Sequence, residues 1–506
     1  MLSTWPGFTA ALAAAAEQLP LGPKQSFSYD ALKQRAQAQA AKPYAATPIR
    51  AAGILEAIDY DAYGKIEFRP EMMLWGRPKE GPGIRFFHLH RWAKEPVGLY
   101  VVEKGEAREI LYSPNFFEMP ASSPATKLPN DIGFAGFRVM EKGKETDWLA
   151  FMGASYFRTS GPYGQYGLSA RGIAIDTASP KAEEFPRFTN FWLERDGESG
   201  VVIYALLSGP SVEGAYRILS QRTPHGSVQE IEAAIYLRAS VDRLGIAPLT
   251  SMFWYGENNH KDSEDWRPEI HDSDGLAMWT GSGERIWRPL GDPPRVMTNA
   301  FSDINPKGFG LLQRDRNFDH YQDDGVFYDK RASLWVEPIG QWGKGSVQLV
   351  EIPTSDEIHD NIVAFWVPDT PAKAQASFDL RYKLHWLADE PYPADVARVI
   401  ATRLGMGGRP GQDRPADTRK IVIDFAGAKL KGLTRQSGVK AVVTASRGVV
   451  TEAVAYPVVG TDTWRLLFDL AKVKGAGPID LRAYISQGND ALSETWLYQL
   501  FPDSPV

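Results

Sequence analysis

Two acidic stretches carry the residues best suited to chemistry. Residues 266–275, WRPEIHDSDG, hold Arg267, Glu269, His271, Asp272 and Asp274 in one short run. Residues 350–366, VEIPTSDEIHDNIVAFW, hold Glu351, Asp356, Glu357 and Asp360. A carboxylic acid that protonates a leaving oxygen, paired with a carboxylate that activates water, is the equipment for opening a glycosidic bond with inversion. A carboxyl separation of roughly 6.5–9.5 Å suits a single intervening water. An exposed acid is ionised at neutral pH, so the proton donor needs burial or a like charge to hold its proton. Trp254, Tyr255 and Phe365 are candidate walls for that purpose, and Glu351 is a candidate like charge. The bland readings stand beside this one. HDSDG reads on spacing as a polar hairpin turn, because Asp-Gly is a strong turn signal. Residues 353–361 read on their own more readily as a solvated acidic hairpin.

Other site types fail on their own terms. Gly167-Leu168-Ser169-Ala170-Arg171 breaks the nucleophile-elbow pattern at its last place. GKGS at 343–346 is not a phosphate loop. The run from Asp59 begins like a calcium loop but has Pro70 where a glutamate is required. His88 and His90 share one face of an expected strand without a third zinc ligand nearby, and core or groove packing is the expectation. No metal or cofactor is expected. Residues 308–331 look long and polar enough for a binding loop or lid, with Arg314, Asp315, Tyr321 and Tyr328 as groups to bond or stack on sugar rings.

The elements that must position these residues are mostly strands. Residues 27–39 have a helical rhythm with Ser28 as cap, and residues 10–19 could form another short helix. From Ile49 onward, runs of four to eight residues alternate with Gly, Pro, Asn and Asp turns, which is the pattern of an all-β sandwich. Residues 393–405 look like a short helix, and 405–420, GMGGRPGQDRPADTRK, look like a linker. A second set of short strands follows, of the length expected for an immunoglobulin-like sandwich. The expected organisation is an extension over 1–26, a large sandwich over 27–390, a helix and linker over 391–419, and a small sandwich over 420–506.

Composition bounds the rest. The chain has 506 residues, 43% hydrophobic and 23% charged, which is globular rather than disordered. Its 15 Trp, 20 Tyr and 24 Phe suit strands and sites that stack flat ligands. A net charge of −6 with scattered Lys and Arg argues against a nucleic-acid partner. With no cysteine, disulfides, thiol catalysis and Cys-bound zinc are excluded. No apolar run reaches the ~18 residues that span a bilayer. The N-terminal Ala-rich run lacks a basic region before it and is not a signal peptide as written, so the chain reads as cytosolic or as a mature form.

Long blocks of the sequence carry a resemblance. FRPEMMLWG, FFHLHRW, YSPNFFE, DWLAFMGASYFRTSGPYGQYGLSARGIAIDT, EEFPRFTNFWLE, RPEIHDSDGL, NPKGFGLLQRDRNFDHYQD, WGKGSVQLVEIPT, DNIVAFW and LSETWLYQL resemble the periplasmic glucan biosynthesis family, OpgG and OpgD (MdoG and MdoD), from about Phe27 to the C-terminus. TSMFWYGE and GENNHKDSEDWRPE are closer to the D-type member. The resemblance implies a galactose-mutarotase-like β-sandwich followed by an immunoglobulin-like one, a periplasmic location, and action on osmoregulated glucans with a β-1,2-linked backbone. D-type members carry twin-arginine export signals, which this sequence lacks, so a mature chain is expected. It further implies an inverting endo-β-1,2-glucanase, or a related transglycosylase that cyclises or links the glucan. The general acid then corresponds to Asp360 and the base to Asp272, with a proton path running through water and a substrate hydroxyl. A non-catalytic glucan-binding scaffold is the alternative from another class. Substrate contacts are expected from Trp75, Arg77, Trp254, Tyr255, Arg267, His271, Arg314, Asp315, Tyr328 and Glu351, with Arg267 and His271 beside Asp272. A homodimer is a possible assembly.

Overall fold

The computed structural model describes residues 19–502 except 77–81, 261–264 and 476. Arg77 and most of the helix expected at 10–19 lie outside the described residues.

The chain is all-β. One long sheet runs from the edge strand Leu21–Ser26 through Arg187–Asp196, Gly200–Ser208, Val212–Thr223 and Gly226–Leu237 to Ser377–Leu387, Ser333–Pro338, Gly308–Leu312, Gly275–Trp279 and Arg285–Pro289. A second sheet faces it, ordered Met297–Ile304, Lys344–Glu351, Ile362–Pro368, Leu244–Ser251, Ser169–Arg171, Tyr156–Thr159, Asp147–Met152, Phe134–Met140 and Ile84–His88. Alternating apolar residues of both sheets close the core, because successive strand side chains point to opposite faces. Phe137, Phe151 and Phe157 stack across three neighbouring strands with centroids 5.1 and 4.9 Å apart. Each such pair adds about 0.5–1.5 kcal/mol beyond its area burial. Tyr216, Trp366 and Trp386 are fully buried in the same core.

The predicted N-terminal helix forms as Tyr29–Ala40, and the Ser28 hydroxyl accepts from the Ala31 amide at 3.1 Å. Its buried Leu32 and Ala36 pack on the outer face of the long sheet beside Trp192. His88 and His90 are both buried, and Tyr112 lies 3.2 Å from His88 Nε2.

Residues 393–405 are not a helix. Arg398–Met406 is a strand paired antiparallel with Thr418–Ala426. A register shift between Val399 and Ala401 breaks the two-residue alternation, so the sequence imitates a helical rhythm. The Gly- and Pro-rich run after it joins these two paired strands and is a connection inside one sheet rather than a linker. That sheet continues to Thr463–Ala471 and Val449–Pro457. It packs on Val439–Ala445, Ile479–Gln487 and Thr495–Leu500 around Phe425, Trp464, Phe468 and Trp496. The small sandwich is fused to the large one, because Thr495–Leu500 pairs in parallel with Arg285–Pro289 and so extends the long sheet.

Candidate active site

Residues 269–275 form a partition with different chemistry on its two sides. The two-residue strand Ile270–His271 pairs with Phe253–Tyr255, and the Asp272 amide donates to the Met252 carbonyl at 2.9 Å. The Ser251 and Ser273 hydroxyls, both fully buried, bond at 2.8 Å. Strand Gly275–Trp279 then enters the long sheet. The HDSDG run is therefore not a hairpin turn. It carries the chain from the small two-stranded ladder into the long sheet, and Asp274 and Gly275 do not reverse it.

Asp272 faces Gly167 and Arg331. A Cβ placed on Gly167 would lie 3.2 Å from Asp272 Oδ1 and 3.0 Å from Arg331 Cδ, so a side chain here would have to push these two groups aside. Arg331 Nε lies 3.1 Å from Asp272 Oδ1, but the angle makes no hydrogen bond, and both atoms are buried without one among the described residues. Asp272 is 8% exposed. Burial pushes its carboxyl up to about 6, Arg331 pulls it back, and the charge of Asp360 pushes it up again. Asp360 keeps solvent contact, yet enough protein crowds around it to raise its carboxyl above the usual range, with Arg171, Arg158 and His359 opposing. The two acids predicted from the sequence are thus electrostatically coupled.

Asn361 fixes that relationship. It is 3% exposed, accepts from the Phe253 amide at 2.8 Å, and donates to the Phe253 and Ile352 carbonyls at 2.8 and 2.9 Å. Its own amide donates to Ser251. One side chain therefore ties the residue after Asp360 to the strand that pairs with the residues before Asp272. The loop ahead of Asp360 has a second tether. Glu357 takes both terminal nitrogens of Arg267 at 2.9 and 3.0 Å and accepts from the Tyr328 hydroxyl. Arg267 also binds Asp323 and Asp265, so this guanidinium is fully engaged.

The cationic and aromatic surroundings come from Ser169–Arg171 and Tyr156–Thr159. The Arg171 guanidinium lies 4.7 Å over the Tyr156 ring and bonds Glu183 at 2.8 Å. Phe185, 51% exposed, flanks it. Flat rings beside fixed guanidinium groups can stack on and bond to sugar rings.

Several expected substrate contacts lie elsewhere. His271 points to the opposite side from Asp272. Its ring nitrogens lie 3.0 Å from Glu269 and 3.1 Å from Gln313, and its ring stacks on Phe253. Burial opposes its charge, but Glu269, Asp274 and Asp315 outweigh it and push the imidazole up to about 9. Arg314 pairs with Glu494 of the small sandwich at 2.9 Å and stacks on Trp287. Asp315 bonds His320, and these two with Glu269 bring three possible ligand atoms within 4.8 Å of one another. Glu351 is spent on Arg288 and the Gly291 amide, so it cannot be the like charge beside Asp360. Phe365 is buried among Ala174, Val350 and Val363 and walls neither acid. Tyr255 is buried with its hydroxyl on the Arg267 carbonyl, and half-buried Trp254 packs on it. Trp75, at φ +66°, gives its carbonyl to Arg195 and its ring to the same guanidinium. Tyr328 bonds Glu357 through its hydroxyl, on which the charge of Asp272 also acts. Arg267 reaches the Asp360 loop rather than Asp272. The expected lid is largely fixed structure, with Gly308–Leu312 a central strand and Tyr321 and Tyr328 buried.

Sequence reasoning missed Gly167, Arg331, Arg158, Tyr156, Arg171 and Asn361. A signal is present in YFRTSGPYGQYGLSARG, where glycines, tyrosines and arginines alternate too densely for plain core. Matched against motifs alone, that stretch is only a broken nucleophile elbow.

The profile described as "Periplasmic glucan biosynthesis protein, MdoG" matches residues 27–500. The chain is similar to glucans biosynthesis protein D 2 of Ralstonia nicotianae, 54% identical over 98% of this chain and 94% of that protein. It is 48% identical to the probable glucans biosynthesis protein D of Shewanella oneidensis, over 95% of this chain and 89% of that one. The glucans biosynthesis protein D of Xanthomonas oryzae is also 48% identical, over 95% and 91% of the two chains.

Proposed function

The chain belongs to the periplasmic glucan biosynthesis (MdoG) family, and on that premise we propose that it is an inverting glycoside hydrolase that cuts within linear β-1,2-glucan in the periplasm. The observation that supports this best is the coupled carboxyl pair, with Asp272 raised by burial and by Asp360. Two nearby acids in different surroundings, one raised by the charge of the other, are suited to one acid and one base role. Asp360 is the acid. It stands where a bound sugar would strip its remaining water, and that loss raises its affinity for a proton. Asp272 is the base. It is recessed beside Arg331, whose fixed charge keeps it anionic above about pH 6. Its recess suits activation of water through an intervening hydroxyl better than direct attack.

The test is incubation of the purified chain with linear β-1,2-glucan, reading product length and anomeric form together. Shorter chains with inverted ends are expected. Products lacking one water would mean transfer to a sugar hydroxyl instead. Binding without a change in length would mean a scaffold. Asp360→Asn and Asp272→Asn should each cut turnover about a hundredfold to ten-thousandfold, the range for loss of a general acid or base. Near-normal turnover in either folded variant would sink the assignment.

A further inference from the structure

On the far side of the partition from Asp272, the two sandwiches enclose a cavity of about 300 Å³. Asn258, His260, Arg288 and Glu351 line it from the large sandwich, and Gly405 and Gln499 from the small one. That volume is at the small end of ligand pockets, which run from about 300 to 1,000 Å³. It suits a chain end or a short arm rather than the middle of a polymer.

Two charge pairs at this cavity satisfy one another, while Arg414 gives a nitrogen to the Met406 carbonyl and Asp292 accepts the Thr354 amide. Arg288 and Glu351 bond at 2.8 Å, and Glu351 also accepts from the Gly291 amide at 2.9 Å. Glu257, at the same wall, holds the Thr402 amide and lies 3.2 Å from Arg403. Paired charges leave little field to draw in an ion. Neutral polar capacity does remain. Asn258 donates from its amide nitrogen to the Leu290 carbonyl, and one ring nitrogen of His260 meets the Pro268 carbonyl. The carbonyl of the Asn258 side chain and the second ring nitrogen of His260 have no partner among the described residues. Gln499, 8% exposed, donates to Asn299 and Asp480 at 3.0 Å each, and its Oε1 is buried without a donor among the described residues. Leu404, Leu500 and Phe501 supply apolar wall. Uncharged bonding groups beside apolar surface match a sugar, which presents hydroxyls and C–H faces together.

We propose that this cavity between the sandwiches is a second glucan-binding site, which takes a terminal glucosyl unit or short arm of the polymer. The proposal rests on a glucan as ligand, which the family supplies, and not on cleavage at Asp272 and Asp360. It gives the small sandwich a function, because without Gly405, Leu404 and Gln499 the pocket has no second wall.

The test uses the full chain carrying Asp360→Asn, which slows turnover about a hundredfold or more, titrated with sophorose, the β-1,2-linked disaccharide of glucose. Two classes of binding event are expected. Adding Gly405→Trp fills the cavity from a strand position where a Cβ meets nothing within 4 Å. It should weaken one class at least tenfold, leave the other unchanged, and leave glucan turnover by the otherwise native chain intact. His260→Ala, at the exposed mouth, is the gentler check if the tryptophan disturbs folding, and it should weaken the same class. A single class that neither substitution touches would overturn this inference and leave the site at Asp272 and Asp360 standing. No sophorose binding at all would overturn this inference, while the cleavage of linear β-1,2-glucan tests the site at Asp272 and Asp360 separately.

Discussion

Asp272 and Asp274 stand two residues apart and share one tendency, since burial pushes each carboxyl up to about 6. Their surroundings differ. Asp274 is consumed by structure: its Oδ2 accepts the Arg314 and Asp315 amides, and His271 stands 3.5 Å from its Oδ1. Asp272 has a counter-charge that does not complete a hydrogen bond, and a second acid that raises it. One acid ties together the ends of two neighbouring strands of the long sheet, and the other is held at a cost by the rest of the molecule. A buried acid whose ion pair leaves one oxygen without a hydrogen bond, in a cluster of cations and rings, is the sign of a working group, whereas its satisfied neighbour is architecture.

Exchanging the two acids for neutral residues should separate these roles with the largest effect. Asp272→Asn should lose about two to four powers of ten in turnover. Asp274→Ala should keep its turnover per folded molecule but lose on the order of 2–5 kcal/mol of stability, because two backbone amides are left unpaired. The pH dependence of the first variant carries a sign. Asp272 has a raised folded value of about 6 against an ordinary 3.8, so its contribution to stability is full below about pH 4 and is lost as pH rises towards 6. Asp272→Asn should therefore melt higher than the native chain at pH 8, and the gain should shrink towards pH 4. A melting loss at pH 8 with normal activity would reverse the two assignments.

Breaking the tether between the acids comes next. Asn361→Ala removes three side-chain hydrogen bonds to backbone, each worth roughly 1 kcal/mol. Turnover should fall at least tenfold at saturating glucan, because the acid and base lose their fixed spacing. Measured as kcat and KM separately, the loss should fall on kcat. A loss confined to KM would mean that Asn361 shapes binding only.

Arg331→Gln gives a smaller and more diagnostic change. Arg331 is the strongest group holding Asp272 down, so its loss should raise that carboxyl. The acidic limb of the kcat/KM profile, expected near pH 6, should move to higher pH. An unmoved limb would detach Asp272 from the rate.

These contrasts also explain what could be read from sequence. Strand content, the large core and the Ser28 cap follow from local chemistry and were legible. The strand at 398–406 was not, because its bulge at Val399–Ala401 destroys the alternation that identifies strands. Asp272 and Asp360 were legible as acids in poor packing contexts, with their roles taken from the family resemblance. Their partners were not, since Arg331, Gly167 and Asn361 are brought together only by sheet order. Glu351 and Arg314 misled for the opposite reason. A charged residue in an acidic or polar stretch looks the same in sequence whether it meets substrate or a buried ion partner such as Arg288 or Glu494.

The smallest expected effect lies on the structural side of the partition. Glu257 spans the two sandwiches by accepting the Thr402 amide and facing Arg403. Burial pushes its carboxyl up to about 7, although Arg403 and the Thr402 amide pull it back. A folded value above the ordinary 4.5 means that the protonated form is the one folding favours. Its stabilising contribution is therefore full below about pH 4.5 and is lost as pH rises through 7. Glu257→Gln keeps an oxygen for the Thr402 amide but removes the ionisation. It should melt as the native chain does at pH 4.5 and higher at pH 8. The gain should be ~1 kcal/mol, because the side chain retains solvent contact that screens its charge. Turnover at Asp272 and Asp360 should be unchanged at both pH values. If Glu257→Gln instead melted lower at pH 8, the Arg403 ion pair would outweigh the burial, and the contact between the sandwiches would be held by charge rather than in spite of it.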